Sequence, residues 1–328
     1  MTGRSWRRLA LWLACAVGLA AAGWWTVQSL AEKADRLDLD DIGYDIFRDV
    51  RFELSPGGLP SIEPRASIYR VIRKGISVRQ AETIAKKCGI HARVKKYSRW
   101  EAIDRLVASD GRLEFRAYRE PGCISFMDID RWGMYETPIG LPDDAEAVRM
   151  ARSFLRKCGV MPHEDATLSP SVWASNTRGY VSKETGKHVN EAYGLGVGFR
   201  RRLSGHEVTG RGGVKVEIAY DGKPAGFQTV SRPVEKQRDA DLIGVEAAYG
   251  QLAEHNAAWD GPDTPGTARV ESVRLIYWER PPGLRQLLLE PIYEFKGTFL
   301  PNTDDTEPKP FKARVLAVRN GDTRSSDE

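Results

Sequence analysis

The sequence predicts an α+β protein of tandem two-layer modules behind an N-terminal transmembrane helix, each module an amphipathic helix packed on an antiparallel β-meander. Three observations lead there. An uncharged run follows three arginines at the N-terminus, a helical segment ending in Cys-Gly occurs twice, and turn-punctuated alternating segments follow each copy. The 328 residues suffice for two or three domains. A composition 41% hydrophobic and 29% charged is that of a folded chain.

Residues 1–34 read as a membrane anchor or signal segment. Leu9–Ala31, LALWLACAVGLAAAGWWTVQSLA, carries no charge over 23 residues, and at about 1.5 Å per residue such a helix crosses a hydrocarbon core of roughly 30 Å. Arg4, Arg7 and Arg8 precede it; basic residues stay cytoplasmic, which makes the protein single-pass in the cytoplasmic membrane with its C-terminal region extracytoplasmic. Trp24 and Trp25 suit the outer interface. Cleavage near Ala22 is an alternative that leaves a secreted or periplasmic protein, and lipid attachment at Cys15 is another. Net charge is +4, of which residues 1–33 hold +3. The nearly neutral remainder lacks the cationic excess with which a nucleic-acid binder covers phosphates, so no nucleic-acid partner is expected.

Residues 35–64 read as a polar stalk. Asp38, Asp40, Asp41, Gly43 and Asp49 loosely resemble a calcium loop, but Ile42 stands where a ligand is needed and no glutamate closes it. The first module, 65–140, contains VRQAETIAKKCGI (78–90) and LEFRAYREPGCISFMDIDR (113–131). The second, 141–238, contains VRMARSFLRKCGV (148–160) and VKVEIAYDGKPAGFQTVSR (214–232). Each helical copy ends in basic residues and a glycine, which favour a helix C-terminus. Pro142-Asp143-Asp144 supplies a start for the second. The third module, 239–319, has LIGVEAAYGQLAEHNAAW (242–259) as its helix, then RVESVRLIYWER (269–280), LRQLLLEPIYEFKGTF (284–299) and FKARVLAVR (311–319). Period-two alternation in these segments marks half-buried antiparallel strands. Residues 320–328 form a polar tail.

VGFRRRLSGHEVTGRGGVKVEIAYDGKPAGF (197–227) and LLLEPIYEFKG (287–297) together resemble the PepSY and YycI-like superfamily of extracytoplasmic regulatory modules. The resemblance covers residues 140–318 and, more faintly, 65–131. Its members include protease propeptide domains and membrane-anchored regulators of sensor kinases. It implies a non-enzymatic protein that binds an envelope membrane partner such as a sensor kinase or a protease. A binding or structural module for a cell-wall, lipid or peptide ligand is the alternative, and an envelope hydrolase the third reading.

No catalytic, cofactor-binding or metal-ligating residue is expected. The histidines His91, His163, His188, His206 and His255 form no HExxH helix or close ligand pair. No G-x-S-x-G occurs, and Ser204 in LSGH reads as a hairpin turn. Asp143-Asp144 and Asp304-Asp305 lie in solvated stretches. Gly194, Gly196 and Gly198 lack the strand-then-helix setting of a phosphate loop; alternating glycine in a strand marks close packing. An oxidising exterior permits one disulfide among Cys88, Cys123 and Cys158: Cys88 and Cys158 hold matching places at helix ends, and Cys123 is an equal partner for Cys88. Three buried thiols are the other reading. Tyr277, Trp278 and Tyr293 are the candidate partner-binding aromatics.

Overall fold

Three helices occur among the described residues of the computed structural model, which are 44–45, 49–72, 75–97, 105–118, 122–132, 138–161, 168–181, 185–186, 188–282, 284–302 and 307–319. The first, Val78–Lys87, starts at Ser77, whose hydroxyl accepts from the Gln80 N–H while the Gln80 side chain accepts from the Ser77 N–H. This reciprocal pair satisfies two donors that a helix start otherwise leaves open. The second, Asp144–Cys158, starts at Asp143, which accepts from the Glu146 N–H at 2.8 Å. It ends at Gly159, whose φ of 70° is the left-handed conformation a glycine adopts without a Cβ clash. Ala147, Ala151, Leu155 and Cys158 make its buried stripe. The third, Val245–Ala253, begins at Gly244 without a side-chain cap.

The first two helices cover one face of an eight-stranded antiparallel sheet. Its outer-to-centre order is Lys95–Tyr97, Arg105–Ser109, Leu113–Tyr118 and Cys123–Asp128 on one side. Ser169–Val181, His188–Arg200, Gly213–Ile218 and Pro224–Val230 run inward from the other side. Each half is one meander, and the two last strands pair antiparallel at the centre with Phe126 opposite Phe227. In the internal repeat those phenylalanines occupy the same position. The halves are therefore related by a pseudo-two-fold axis passing between two equivalent residues. Their rings lie 5.9 Å apart at 28°, and Phe154 of the second helix packs on both.

The rest of the chain builds a second sheet ordered Tyr44–Asp45, Ala258–Asp260, Lys309–Leu316, Pro291–Pro301, Gly266–Glu279, His206–Gly210 and Arg202–Leu203. Val50–Leu54 pairs in parallel with Gly266–Val270. A three-stranded sheet joins Val234–Asp241, Arg65–Val71 and Leu288–Leu289. The third helix contributes Val245, Ala248 and Leu252 to a core shared with Ile68, Trp259, Phe295 and Phe299.

Where the chain crosses between these sheets, two buried arginines meet one buried glutamate. Arg201 Nη2 lies 3.4 Å and Arg232 Nη1 3.7 Å from Glu279 Oε1, and the Arg232 N–H donates to that oxygen at 2.7 Å. The Arg232 guanidinium also donates to the carbonyls of Arg280, Pro281 and Leu284 at 2.9–3.0 Å. Three crossings are tied at one point.

The expected tandem of separate helix-on-meander modules is overturned: the chain is mostly β, with its strands merged into shared sheets. The reason is that a four-stranded meander exposes two edges, and pairing the matching last strands removes one from each. The boundaries drawn at 65–140, 141–238 and 239–319 also cut across sheets. Val50–Leu54 of the supposed stalk pairs with Gly266–Val270 of the supposed third module, and Arg65–Val71 of the supposed first module pairs with Val234–Asp241, which straddles the boundary at 238. The expected single membrane span is corrected as well. No helix among the described residues is long and apolar enough to cross a membrane; Leu9–Ala31, read as that span, lies outside them, as does the tail 320–328.

Candidate functional site

Strand alternation puts the apolar residues of the eight-stranded sheet under the helices and leaves the opposite face helix-free. On that face Ser171, Gly198, Lys215, Gln228, Ser125 and Arg116 stand in one cross-strand row. The neighbouring row runs Trp173, Gly196, Glu217, Gly226, Met127 and Glu114. Gly196 and Gly198 are bare because the Trp173 indole lies across them; a Cβ at Gly198 would come within 2.9 Å of the ring. Trp173 nevertheless remains 40% exposed. Lys215 Nζ sits 5.5 Å from its ring centroid, a cation–π distance.

Beside the indole is a shallow cavity of about 180 Å³, lined by Ser171, Trp173, Arg200, Arg211, Lys215 and Gln228 together with the glycine-rich turn 210–213. Gly210 and Gly213 in that turn have φ of 83° and 107°, values that β-carbon-bearing residues rarely adopt. The lining contains three cations and no carboxylate. Two of the cations have partners just outside it: Lys215 lies 3.3 Å from Glu217 Oε2, and Arg200 lies 2.6 Å from Glu207 Oε1. Burial pushes Glu207 up, but its bonds to Arg200 and Arg274 prevail and hold it below the usual glutamate value, so it stays ionised. Arg211 is exposed at the turn, where its N–H donates to the Glu279 carbonyl at 3.0 Å. The arrangement can hold an anion against an aromatic plane; its lining holds no acid–base pair or activated nucleophile.

A larger apolar cleft of about 500 Å³ lies between the N-terminal half of the first helix and strands Leu113–Tyr118 and Cys123–Asp128. Ser77 and Gln80 on its wall are already bonded to each other. It offers volume without convergent polar groups.

The residues singled out in the sequence fall elsewhere. Tyr277 is fully buried, and its hydroxyl donates to the Ser67 carbonyl at 2.6 Å. Tyr293 is 1% exposed and donates to the Ile243 carbonyl at 2.7 Å. Both are core residues, so neither presents a surface to a partner. Trp278 is half-buried beneath the Arg314 guanidinium, 4.7 Å from its ring centroid. Cys88 and Cys158 hydrogen-bond to each other, which raises the Cys88 thiol and lowers Cys158. Cys123 is buried at the other end of the first helix, lining the apolar cleft with Ser77 and Gln80. No disulfide joins any two of the three in this structure.

Asp143 is a helix cap and Asp144 follows in the first turn. Ser204 takes a positive φ in a hairpin turn, bonded to the Tyr69 hydroxyl. Among the described residues no group of three or more His, Cys, Asp or Glu is placed to hold a metal. The acidic stretch Asp38–Gly43, His163–Asp165 and Asp304-Asp305 lie outside those residues. Sequence reasoning missed Trp173, Arg200, Arg211 and Lys215 as a cluster. Its one visible signal was the alternating Gly194, Gly196 and Gly198, which leaves one face of a strand without side chains for an aromatic neighbour to occupy.

No family model matches the chain, and no curated protein matches it. Among solved structures it is similar to a protein from Eubacterium rectale, at 6% identity and a TM-score of 0.45 over 81% of this chain and 88% of that one. It is also similar to the Bacillus megaterium YpeB C-terminal domain, at 15% identity and a TM-score of 0.32 over 75% of this chain and 99% of that domain.

Proposed function

We propose that this protein is a non-enzymatic, extracytoplasmic regulatory or interaction protein that captures an acidic segment of a protein partner on the helix-free sheet face. One observation carries the reading: an exposed indole and three cations share a cavity lined by no carboxylate. Trp and Arg are the side chains that most often anchor interfaces, and complementary charge steers the encounter. The sequence resemblance to regulatory modules points to a sensor kinase or a protease as the kind of partner. Export is supported by the arginines and apolar run at the N-terminus.

The test is fluorescence anisotropy of the full chain with a dye-labelled oligo-glutamate peptide, with oligo-lysine as control. Saturable, salt-sensitive binding of the acidic peptide alone is expected. Trp173→Ala should weaken it roughly 30-fold, equivalent to about 2 kcal/mol at an anchor residue. Paired Arg211→Glu and Lys215→Glu should abolish it. Equal binding by wild type and the charge-reversed variant would sink the proposal. The flat indole favours a second reading, since it would also stack a sugar ring of an anionic wall polymer. Competition by soluble wall fragments, with no binding of the acidic peptide, would move the assignment there.

A further inference from the structure

We propose that Cys88 and Cys158 form a reversible disulfide that staples together the C-terminal ends of the two repeat helices. Their sulfurs already share a hydrogen bond, and a second contact places the same chain segments together: a Cβ on Gly159 would lie 2.7 Å from Lys87 Nζ. The two cysteines also occupy matching positions in the internal repeat, one capping the first helix and the other ending the second. The two helices pack against each other on the sheet. Cys123 is excluded as the partner because it sits by the opposite, N-terminal half of the first helix.

Chemistry and access agree with the geometry. Cys88 is half-buried and reachable by a small reagent, whereas Cys158 is fully buried. Lys86, Lys87, Arg156 and Lys157 flank the pair, and neighbouring cations favour the reactive thiolate. With a small disulfide such as oxidised glutathione as oxidant, the Cys88 sulfur passes its proton to the neighbouring Cys158 thiolate, attacks one of the oxidant's sulfurs and releases one glutathione. The Cys158 sulfur then displaces the second. Each step breaks one S–S bond and makes one. The protein loses two electrons and two protons, which leave on the two released thiols. The product closes a 70-residue loop, and loops of that length restrict the unfolded chain strongly. The staple would therefore lock the helix layer against the sheet in an oxidising compartment and release it in a reducing one.

The deciding experiment incubates the full chain with oxidised or reduced glutathione, blocks remaining thiols by alkylation, and maps peptides without reduction. A Cys88–Cys158 linked peptide should form in the first condition and vanish in the second. The melting temperature should fall roughly 5–10 °C on reduction, and Cys88→Ser should remove that difference. The inference is overturned if both cysteines stay alkylated under excess oxidised glutathione, or if the linked peptide joins Cys88 to Cys123 or Cys15. The wild-type map decides this even where a cysteine variant fails to fold.

Discussion

In the lobe of the eight-stranded sheet, each strand pairs with the next strand of its own half, with 201–212 looping out between His188–Arg200 and Gly213–Ile218, or, at the centre, with its repeat counterpart. In the other lobe, Val50–Leu54 waits for Gly266–Val270 and Arg65–Val71 for Val234–Asp241. The first lobe can assemble from hairpins. The second must close loops of more than 160 residues before its N-terminal strands find partners, and such distant closure is slow more than it is costly. The lobes also differ in what they bury. The first lobe packs apolar side chains under its helices, and its buried carboxylates Asp128 and Glu217 pair with Arg112, Arg131 and Lys215, whereas the other lobe holds Glu294 among Arg274, Lys296 and Arg314 and shares the Glu279 clamp. The buried carboxylates of the first lobe pair within one strand or hairpin, while the Glu279 clamp joins segments 47 and 78 residues apart, where buried charge adds specificity, a use known from other folds.

Glu279→Ala is the strongest way to break this contrast. Removing the shared carboxylate strands two buried guanidinium groups and should cost about 3–5 kcal/mol. Denaturation followed by tryptophan fluorescence and by circular dichroism should then give separated midpoints, the second lobe unfolding first. A loss below about 1 kcal/mol, or coincident midpoints, would show that the clamp does not couple the lobes.

Glu294→Gln sharpens the comparison through pH. Burial pushes the Glu294 carboxyl up, but Arg274 and Lys296 outweigh it and hold it below the ordinary 4.5. A carboxylate depressed in the folded state adds stability that is fully present above its unfolded value. That stability is lost as pH falls through the folded one. The variant should be weaker at pH 7 by about 1.5–3 kcal/mol, the worth of hydrogen bonds to a charged group. The gap should close as pH drops below 4.5, read as denaturant midpoint against pH. A constant gap across that range would remove Glu294 from the account.

The smallest effect compares helix starts. Ser77→Ala should cost about 1 kcal/mol by losing the reciprocal cap of the first helix. Gly244→Ser, at the uncapped third helix, should gain a few tenths of a kcal/mol by the same scale. Its φ of −62° suits any residue, and the nearest atom to a new Cβ is the flexible Glu246 carboxylate at 3.4 Å. Thermal melts of the two single variants test both signs.

Much of the local structure is legible in the sequence alone. The Cys-Gly helix ends, the Asp143 start and the alternating strands announce themselves because capping and period-two burial depend on residues close in sequence. The candidate site was legible only in part. Gly194, Gly196 and Gly198 signalled a close approach, but nothing in the chain near them names Trp173 as the residue that lies there. Arg211 and Lys215 come from another strand and turn. Tyr277, Trp278 and Tyr293 stand in the sequence as candidate partner-binding aromatics, yet Tyr277 is sealed by Ser67 and Tyr69, more than two hundred positions away.

The sequence by itself determined the two repeat helices with their ends, the internal repeat, and the matching positions of Cys88 and Cys158, all set by short-range sterics, hydrogen bonding and periodicity. The tertiary structure alone decided that the two meanders fuse through Phe126 and Phe227, that the stalk becomes sheet, and that a carboxylate-free cationic cavity forms beside Trp173. Those outcomes depend on which strand edge meets which. An edge is a row of backbone donors and acceptors common to every sequence, so its partner is chosen only when the whole chain packs.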